Sequence, residues 1–420
     1  MENDDHDCSD SVWKPGQPYR VILFYRYVQI DDVQDLQQQL QQHCTEWGLL
    51  GRVLVASEGI NGTLAGSIDC IENFIRWMKQ DPRFQAIDWK DSTEATHTKD
   101  LPFLTLSIRI EKSIISCGQQ EQFIAQHAVF DEQTFGGLDN TGVHLPPSEF
   151  HDQLTNHHHT GAGVLLDVRN QFEYDIGHFQ AAETLNVATY AESWSALDQL
   201  LAQKCASKSD PVYMYCTGGI RCEKASVYVK AKGYNRVYQL QGGIHRYLEA
   251  YPDGGHFRGK NFVFDGRVSM TGGGGGKGDD KGGVIDGATS RADAGADAVL
   301  GTSSGIGIGT DVGVALTGSD EVMGTEDTAA GRGVEVEVVG RCLDCAAPFD
   351  QFSGRVVCTV CRLPVLVCPQ CRDERCEPGE YHCWRHRYVF FIHPLSLYLP
   401  LIGWLSSCRA DPKWPSLLPL

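Results

Sequence analysis

The chain has 420 residues, 42% hydrophobic and 21% charged. That composition excludes whole-chain disorder and, at about 150 residues per domain, predicts roughly three domains. Lys and Arg total 36 against 54 Asp and Glu, a formal charge of -18, which excludes a surface coated in basic residues for sequence-independent polyanion binding but leaves room for a local basic groove.

Residues 21–25 are a continuous apolar run, the pattern of a buried strand. Residues 31–47 set Val33, Leu36, Leu40 and Trp47 at helical spacing, with Gln37 to Gln42 on the helix face. Residues 53–56 and 62–65 read as strands, and residues 71–78 as an amphipathic helix. Leu104, Leu106, Ile108 and Ile110 alternate as in a half-buried strand. The order β-α-β-β-α-β predicts a ferredoxin-like α+β domain over residues 19–118, with Asn61-Gly62 as a turn dipeptide.

Strands at residues 164–168, 211–215 and 237–240 alternate with helices at 193–201 and 222–232, which predicts a parallel α/β sheet over residues 145–268. His157, His158 and His159 are expected in a polar loop. Between Thr271 and Gly340 glycine supplies 20 of 70 residues, and acids outnumber bases. Residues 269–340 are therefore expected to be a disordered linker. Gly305, Gly307 and Gly309 imitate a nucleotide-binding pattern, but no strand precedes them. A Cys-rich module over residues 341–387 and an apolar tail over 388–420 follow. Pro394, Pro400 and His393 interrupt the tail, so no stable membrane insertion is expected.

The richest local pattern is Cys216-Thr217-Gly218-Gly219-Ile220-Arg221. A strand delivers Cys216 to the carboxyl edge of the sheet, where sites in such sheets lie. Two glycines let the backbone curl, a helix N-terminus follows, and Arg221 adds a cation. Each favours a thiolate, so Cys216 is expected to be nucleophilic at neutral pH. Four residues separate Cys216 from Arg221, tighter than the five of Cys-dependent phosphatases. Cys222 reads as a packed residue, Asp167 and Arg169 as a structural pair bracing the loop, and Glu173 and His178 as packing or capping groups. Lys90, Arg109, Lys112, Arg246, Arg258, Lys260 and Arg267 are the candidates for a basic groove.

Eight of the 16 cysteines fall between Cys342 and Cys383. Cys342/Cys345, Cys358/Cys361, Cys368/Cys371 and Cys383/His386 make four pairs at x-x spacing, each able to bite a tetrahedral ion, and together they match two structural Zn²⁺ sites. The pairs could join sequentially or in a cross-brace; Cys376 and His382 are spare ligands. An acidic, polar N-terminus without an apolar or Arg-rich leader points to a reducing compartment, the cytoplasm, where clustered thiols bind metal rather than form bridges.

Asp167-Val-Arg169-Asn-Gln-Phe-Glu173-Tyr-Asp-Ile-Gly-His178, then the Cys216 loop, then Gln241-Gly-Gly-Ile, resembles the rhodanese fold. Gly51-Arg-Val-Leu-Val-Ala-Ser-Glu-Gly-Ile-Asn61-Gly, Gly259-Lys-Asn-Phe-Val-Phe-Asp265-Gly-Arg and the Cys-rich end resemble, more specifically, the tRNA uridine 5-hydroxylase family. The resemblance implies an acylphosphatase-like N-terminal domain and oxygen-independent 5-hydroxylation of the wobble uridine. It also implies the tRNA anticodon stem-loop as partner, prephenate as hydroxyl donor, and Cys216 as the essential cysteine. The glycine-rich insertion and the tail depart from that pattern. The alternative is a sulfurtransferase that uses the same loop to move sulfur from thiosulfate or a persulfide. A third reading is a zinc-dependent protein-binding module with a vestigial rhodanese domain, against which the intact Cys216 and Arg221 count.

Overall fold

The computed structural model describes residues 12–91, 102–160, 163–271, 337–353, 356–374 and 380–386. Most of the glycine-rich stretch, the apolar tail, Cys376 and the side chains of His157 to His159 lie outside what is described.

The N-terminal unit comprises β1 (Arg20–Tyr27), α1 (Val33–Glu46), β2 (Leu50–Ala56), β3 (Gly59–Gly66), α2 (Ile68–Met78), β4 (Lys90–Asp91) and β5 (Leu106–Ile110). The sheet order is β4-β1-β3-β2-β5. α1 turns Leu36, Leu40 and Cys44, four residues apart, onto the sheet. α2 starts where the Ser67 side chain accepts from Cys70 N at 3.3 Å, and buries Cys70, Ile71, Phe74 and Met78. The two helices close one core with Ile22, Phe24, Val53 and Leu64.

Two sequence expectations change here. The fourth strand of the ferredoxin-like order is not residues 104–110 but the two-residue β4, which pairs antiparallel with β1 through Leu23 and Ile22. β5 instead extends the opposite edge, parallel to β2. Period-2 alternation marks a strand but not its neighbour, and a two-residue strand has no period to detect. Nor is Asn61 in a turn. It sits inside β3, opposite Tyr25 and Leu54, and donates to Ile114 O at 3.0 Å; Ser57 and Glu58 make the turn.

A connecting stretch carries α3 (Glu121–His127) and a short hairpin of β6 (Val129–Phe130) and β7 (Leu138–Asp139). The central unit then runs β8 (Val143–Leu145), α4 (Pro147–Thr160), β9 (Val164–Asp167), α5 (Gln171–Ile176), β10 (Gly177–Phe179), β11 (Glu183–Thr184), α6 (Ser193–Lys204), β12 (Val212–Tyr215), α7 (Ile220–Ala231), β13 (Val237–Leu240) and α8 (Gly243–Ala250). Its sheet is parallel throughout, in the order β11-β9-β12-β13-β8. One face packs on α3, α6 and α7. The other packs on α4 and α8. β9 and β12 are buried along their whole length, as expected of central parallel strands. The three histidines at 157–159 lie in α4 rather than in a loop; among the described side chains of that helix Phe150 and Leu154 are the buried apolar anchors, too few to show a period.

Residues 21–25 of β1 are continuously apolar because both faces of the strand are covered. Ile22 and Phe24 face α2, while Leu23, Tyr25 and Tyr27 face the central unit. Tyr25 Oη donates to Glu223 Oε1 at 2.9 Å, and Lys224 Nζ pairs with Glu58 at 2.9 Å. α7 is consequently buried all round from Arg221 to Val229.

β14 (Phe257–Gly259) pairs with β10, and β15 (Asn261–Phe262) with β16 (Ser269–Met270). This extension carries the Cys-rich module, which seats Leu366, Phe349 and Phe352 against Phe172, Ile176 and Phe262. Within the module, the stretches around Cys342 and Cys358 build two alike knuckles. Each is closed by a bridge, Arg341 with Pro348 and Val357 with Pro364. Each also has one residue at positive φ, Ala346 at 59° and Arg362 at 63°. α9 (Pro369–Asp373) follows Cys368. Among the described residues no helix is long and apolar enough to cross a membrane.

Candidate functional site: a buried thiolate under the N-terminal sheet

β12 ends at Tyr215, and the chain turns at Cys216 under the start of α8: Ile244 N donates to Cys216 O at 3.0 Å and His245 N to Thr217 O at 3.1 Å. That close approach requires Gly243. Its φ is 69°, and a Cβ there would stand 2.6 Å from each of those two carbonyl oxygens. Gly219 (φ 105°) caps α7 and sends its N–H to Cys216 Sγ at 3.0 Å. The sulfur thus sits at the positive end of a twelve-residue helix.

Burial pushes the Cys216 thiol up. A hydrogen bond from the Cys222 thiol, the Arg221 charge and the N–H groups of Arg221 and Gly219 outweigh it and bring the thiol down to about 6. Cys222 itself is pushed well up by burial and by the neighbouring thiolate, so it stays a thiol and donates. The sequence placed Cys222 as packing; it does pack in the core, and its thiol also bears on the Cys216 sulfur.

Arg221 bears on the thiolate as a cation, as expected, but it is also half of a buried pair. Its guanidinium is buried in a two-pronged pair with Glu173, Nη1 to Oε2 at 2.6 Å and Nη2 to Oε1 at 2.7 Å, and Thr217 Oγ1 bridges both. Glu173 also accepts from Asn170 N at 3.1 Å, at the start of α5. Packing or capping was the role its sequence position announced. Its pairing with Arg221 spans 48 residues and has no local signature.

Asp167 and Arg169, both fully buried, form the bracing pair: Arg169 donates to Asp167 from Nε at 2.9 Å and Nη2 at 2.7 Å, and reaches Gly177 O at 2.6 Å. The Arg169 guanidinium lies 5.7 Å from the ring of Tyr215, at the end of β12. His178 packs flat on Tyr174, centroids 3.8 Å apart.

The N-terminal sheet roofs the loop. A Cβ on Gly218 would stand 2.9 Å from Leu23 Cδ2, and one on Gly219 2.9 Å from Tyr25 Oη. Ile220 packs below Tyr25 and Tyr27. The basic candidates do not gather into one exposed groove. Lys90 is buried beside Asp88, Arg246 pairs with Asp88 and Glu249, Arg267 with Asp265, and Lys260 with Asp350. Arg258 donates to Gly255 O, Arg109 pairs with Glu111, and Lys112 is exposed.

In the Cys-rich module the pairing is a cross-brace. Cys342, Cys345, Cys368 and Cys371 converge on one point, and Cys358, Cys361, Cys383 and His386 on another, with the four ligand atoms of each group within 4.8 Å of one another. A Zn–S bond of about 2.3 Å places tetrahedral thiolates about 3.8 Å apart. Cys345 and Cys368 are 3.8 Å apart, and Cys361 and Cys383 3.6 Å, too far for a disulfide and right for a shared ion. His382 faces Thr359 instead, at 3.4 Å.

Two family models match the chain. The UPF0176 acylphosphatase like domain covers residues 19–114 and the rhodanese-like domain residues 149–250. Among curated relatives, a rhodanese-like domain-containing protein 6 of Arabidopsis thaliana is 31% identical over 85% of this chain, which spans 51% of that protein. A tRNA uridine(34) hydroxylase of Onion yellows phytoplasma is 35% identical over 60% of the chain and 75% of its own length. A tRNA uridine(34) hydroxylase of Cytophaga hutchinsonii is 35% identical over 60% of the chain and 72% of its own length. The two-unit order, the cysteine at the strand end and these identities over most of two relatives have one reading: the chain belongs to the tRNA uridine(34) hydroxylase family.

Proposed function

We propose that the protein hydroxylates C5 of the wobble uridine in the tRNA anticodon, with Cys216 as nucleophile. The observation that carries this is the acylphosphatase-like sheet laid on the Cys216 loop, where Leu23 and Tyr25 meet Gly218 and Gly219. Sulfur transfer needs only the loop; a site closed by a second domain suits a large substrate whose one reacting base must be selected. The Cys216 thiolate adds to C6 of the uracil, forming the S–C6 bond while the C5=C6 pair moves toward the C4 carbonyl. The electron-rich C5 takes oxygen from a peroxide-level oxidant, whose O–O bond breaks as the C5–O bond forms and which is thereby reduced by two electrons. Loss of the C5 proton with expulsion of the thiolate restores the ring. Cys216 is fully buried, so a base reaches it only when the contact between β1 and the loop opens.

Nucleoside mass spectrometry of tRNA is the test. Cells lacking the protein should lose 5-hydroxyuridine and its derivatives from the wobble position and regain them with the full chain. Unchanged wobble nucleosides, together with thiosulfate–cyanide activity of the purified protein, would move the assignment to a sulfurtransferase.

In the Cys-rich module Zn²⁺ is the ion the thiolate-rich sets fit, and it would act as a structural crosslink. Metal analysis of the purified protein should give two zinc ions per chain. Because each site draws ligands from both ends of the module, Cys345→Ser should lower the content toward one and loosen the whole module. That loosening would appear as rapid amide exchange over residues 337–386 with the Cys216 loop still protected. A metal-free preparation with the module equally protected would overturn this.

A further inference from the structure

Lys90 is the one candidate from the basic list that is fully buried, and it lies beside the reactive loop rather than on the surface. A Cβ on Gly218 would stand 3.9 Å from Lys90 Cδ, and the ammonium lies 5.0 Å from the centroid of Tyr25, whose hydroxyl adjoins Gly219. Its partner is Asp88, with Nζ to Oδ2 at 2.9 Å. Asp88 is shared: Arg246 reaches its Oδ1 at 2.5 Å. Two cations thus face one carboxylate, and Glu249, which takes the outer prong of Arg246, is 40% exposed and well screened. Next to the sulfur, by contrast, Arg221 is matched by Glu173. Lys90 is thus a second cation at the loop, brought by the N-terminal unit, and it shares Asp88 with Arg246 of α8. A fully buried lysine is costly to keep, and it sits within electrostatic reach of Cys216.

We propose that Lys90, presented by β4, is a positioning residue of the Cys216 site, a second cation that adds to Arg221 in holding its sulfur as thiolate. This deepens the proposed function and rests on it for the reaction, but not for the sulfur's ionisation. The rhodanese loop is then an incomplete site by itself. The groups that bear on the sulfur are Arg221 and Cys222 from α7, Tyr25 from β1, Tyr190 from the segment before α6, and Lys90 from β4. His245 from α8 lies beside Lys90. Burial and the cations Lys90, Arg267 and Arg246 push that imidazole down to about 3, so it does not titrate in the range where the thiol does.

The test is the pH titration of the Cys216 thiolate by ultraviolet absorbance. It is read in the full chain as the difference between each variant and the same variant carrying Cys216→Ser, which cancels the other thiols and needs no access to the sulfur. Lys90→Met should raise the midpoint by about one pH unit, a tenfold loss of thiolate on the acid side. Lys90→Arg should hold it near the wild-type value. Asp88→Asn, which keeps the shape and removes the opposing charge, should lower it, and it serves where Lys90→Met does not fold. Hydroxylation by Lys90→Met should fall in step with the thiolate fraction and recover at higher pH. Titrations of Lys90→Met and Asp88→Asn that superimpose on the wild type would overturn the proposal. Shifted titrations without tRNA hydroxylation by any form of the protein would leave Lys90 in place and remove the proposed reaction.

Discussion

Cys216→Ser should cut 5-hydroxyuridine formation by about three orders of magnitude or more, the scale on which enzymes lose rate with their nucleophile. A hydroxyl has nearly the shape of the thiol, but the donors that bring Cys216 down to about 6 cannot ionise it near neutral pH. The fold should tolerate the change at a cost of about 1 kcal/mol, because the site already supplies a donor from Gly219 N. The wild-type pH profile carries the same information. The reactive form is the deprotonated one, so the rate should rise through about pH 6, level off above it, and fall about tenfold per unit below it. Single-turnover assays on an anticodon stem-loop at fixed ionic strength measure both. A Cys216→Ser protein that hydroxylates at an appreciable rate removes the sulfur from the mechanism.

Glu173→Gln should be the most destabilising conservative substitution near the site, by about 3–5 kcal/mol, because it strands a buried guanidinium. Arg221 has Glu173 on both prongs and Thr217 Oγ1 beside it. An amide turns one acceptor into a donor and removes the charge. The effect should also reach the chemistry. Arg221 sets the first turn of α7, where its carbonyl accepts from Tyr190 Oη at 2.7 Å and its N–H bears on the thiolate. Urea denaturation of Glu173→Gln, of Arg221→Met and of Glu173→Leu with Arg221→Met measures the coupling. The double replacement should cost far less than the sum of the single ones, since it leaves no unpaired charge. A Glu173→Gln protein within about 1 kcal/mol of wild type would mean that water reaches the guanidinium.

These two residues mark where a linear reading stops. Cys216 could be found from the chain because its chemistry is local: a strand, two glycines and a helix start lie within a few residues and act on one atom. The four ligand pairs were legible for the same reason, as were α1, α2 and the parallel strands, each written as a period of two or 3.6 residues. Glu173 carried only the mark of a helix start, and Lys90 only that of a charge. Their parts in the site depend on segments meeting across 48 residues in one case and across two units in the other.

The sheet edges follow the same division. Alternation announced β5, but its place beside β2, and the seat of the two-residue β4 beside β1, were settled by which hydrogen-bonding edge was open. The cross-brace is the plainest case. Spacing within a Cys-x-x-Cys pair determines that it can grip an ion, because a tight turn suffices for two ligands. Which pair supplies the other two ligands is a matter of how the knuckles and α9 pack. That packing brings Cys342 to Cys368 and Cys358 to Cys383 over separations no local pattern encodes.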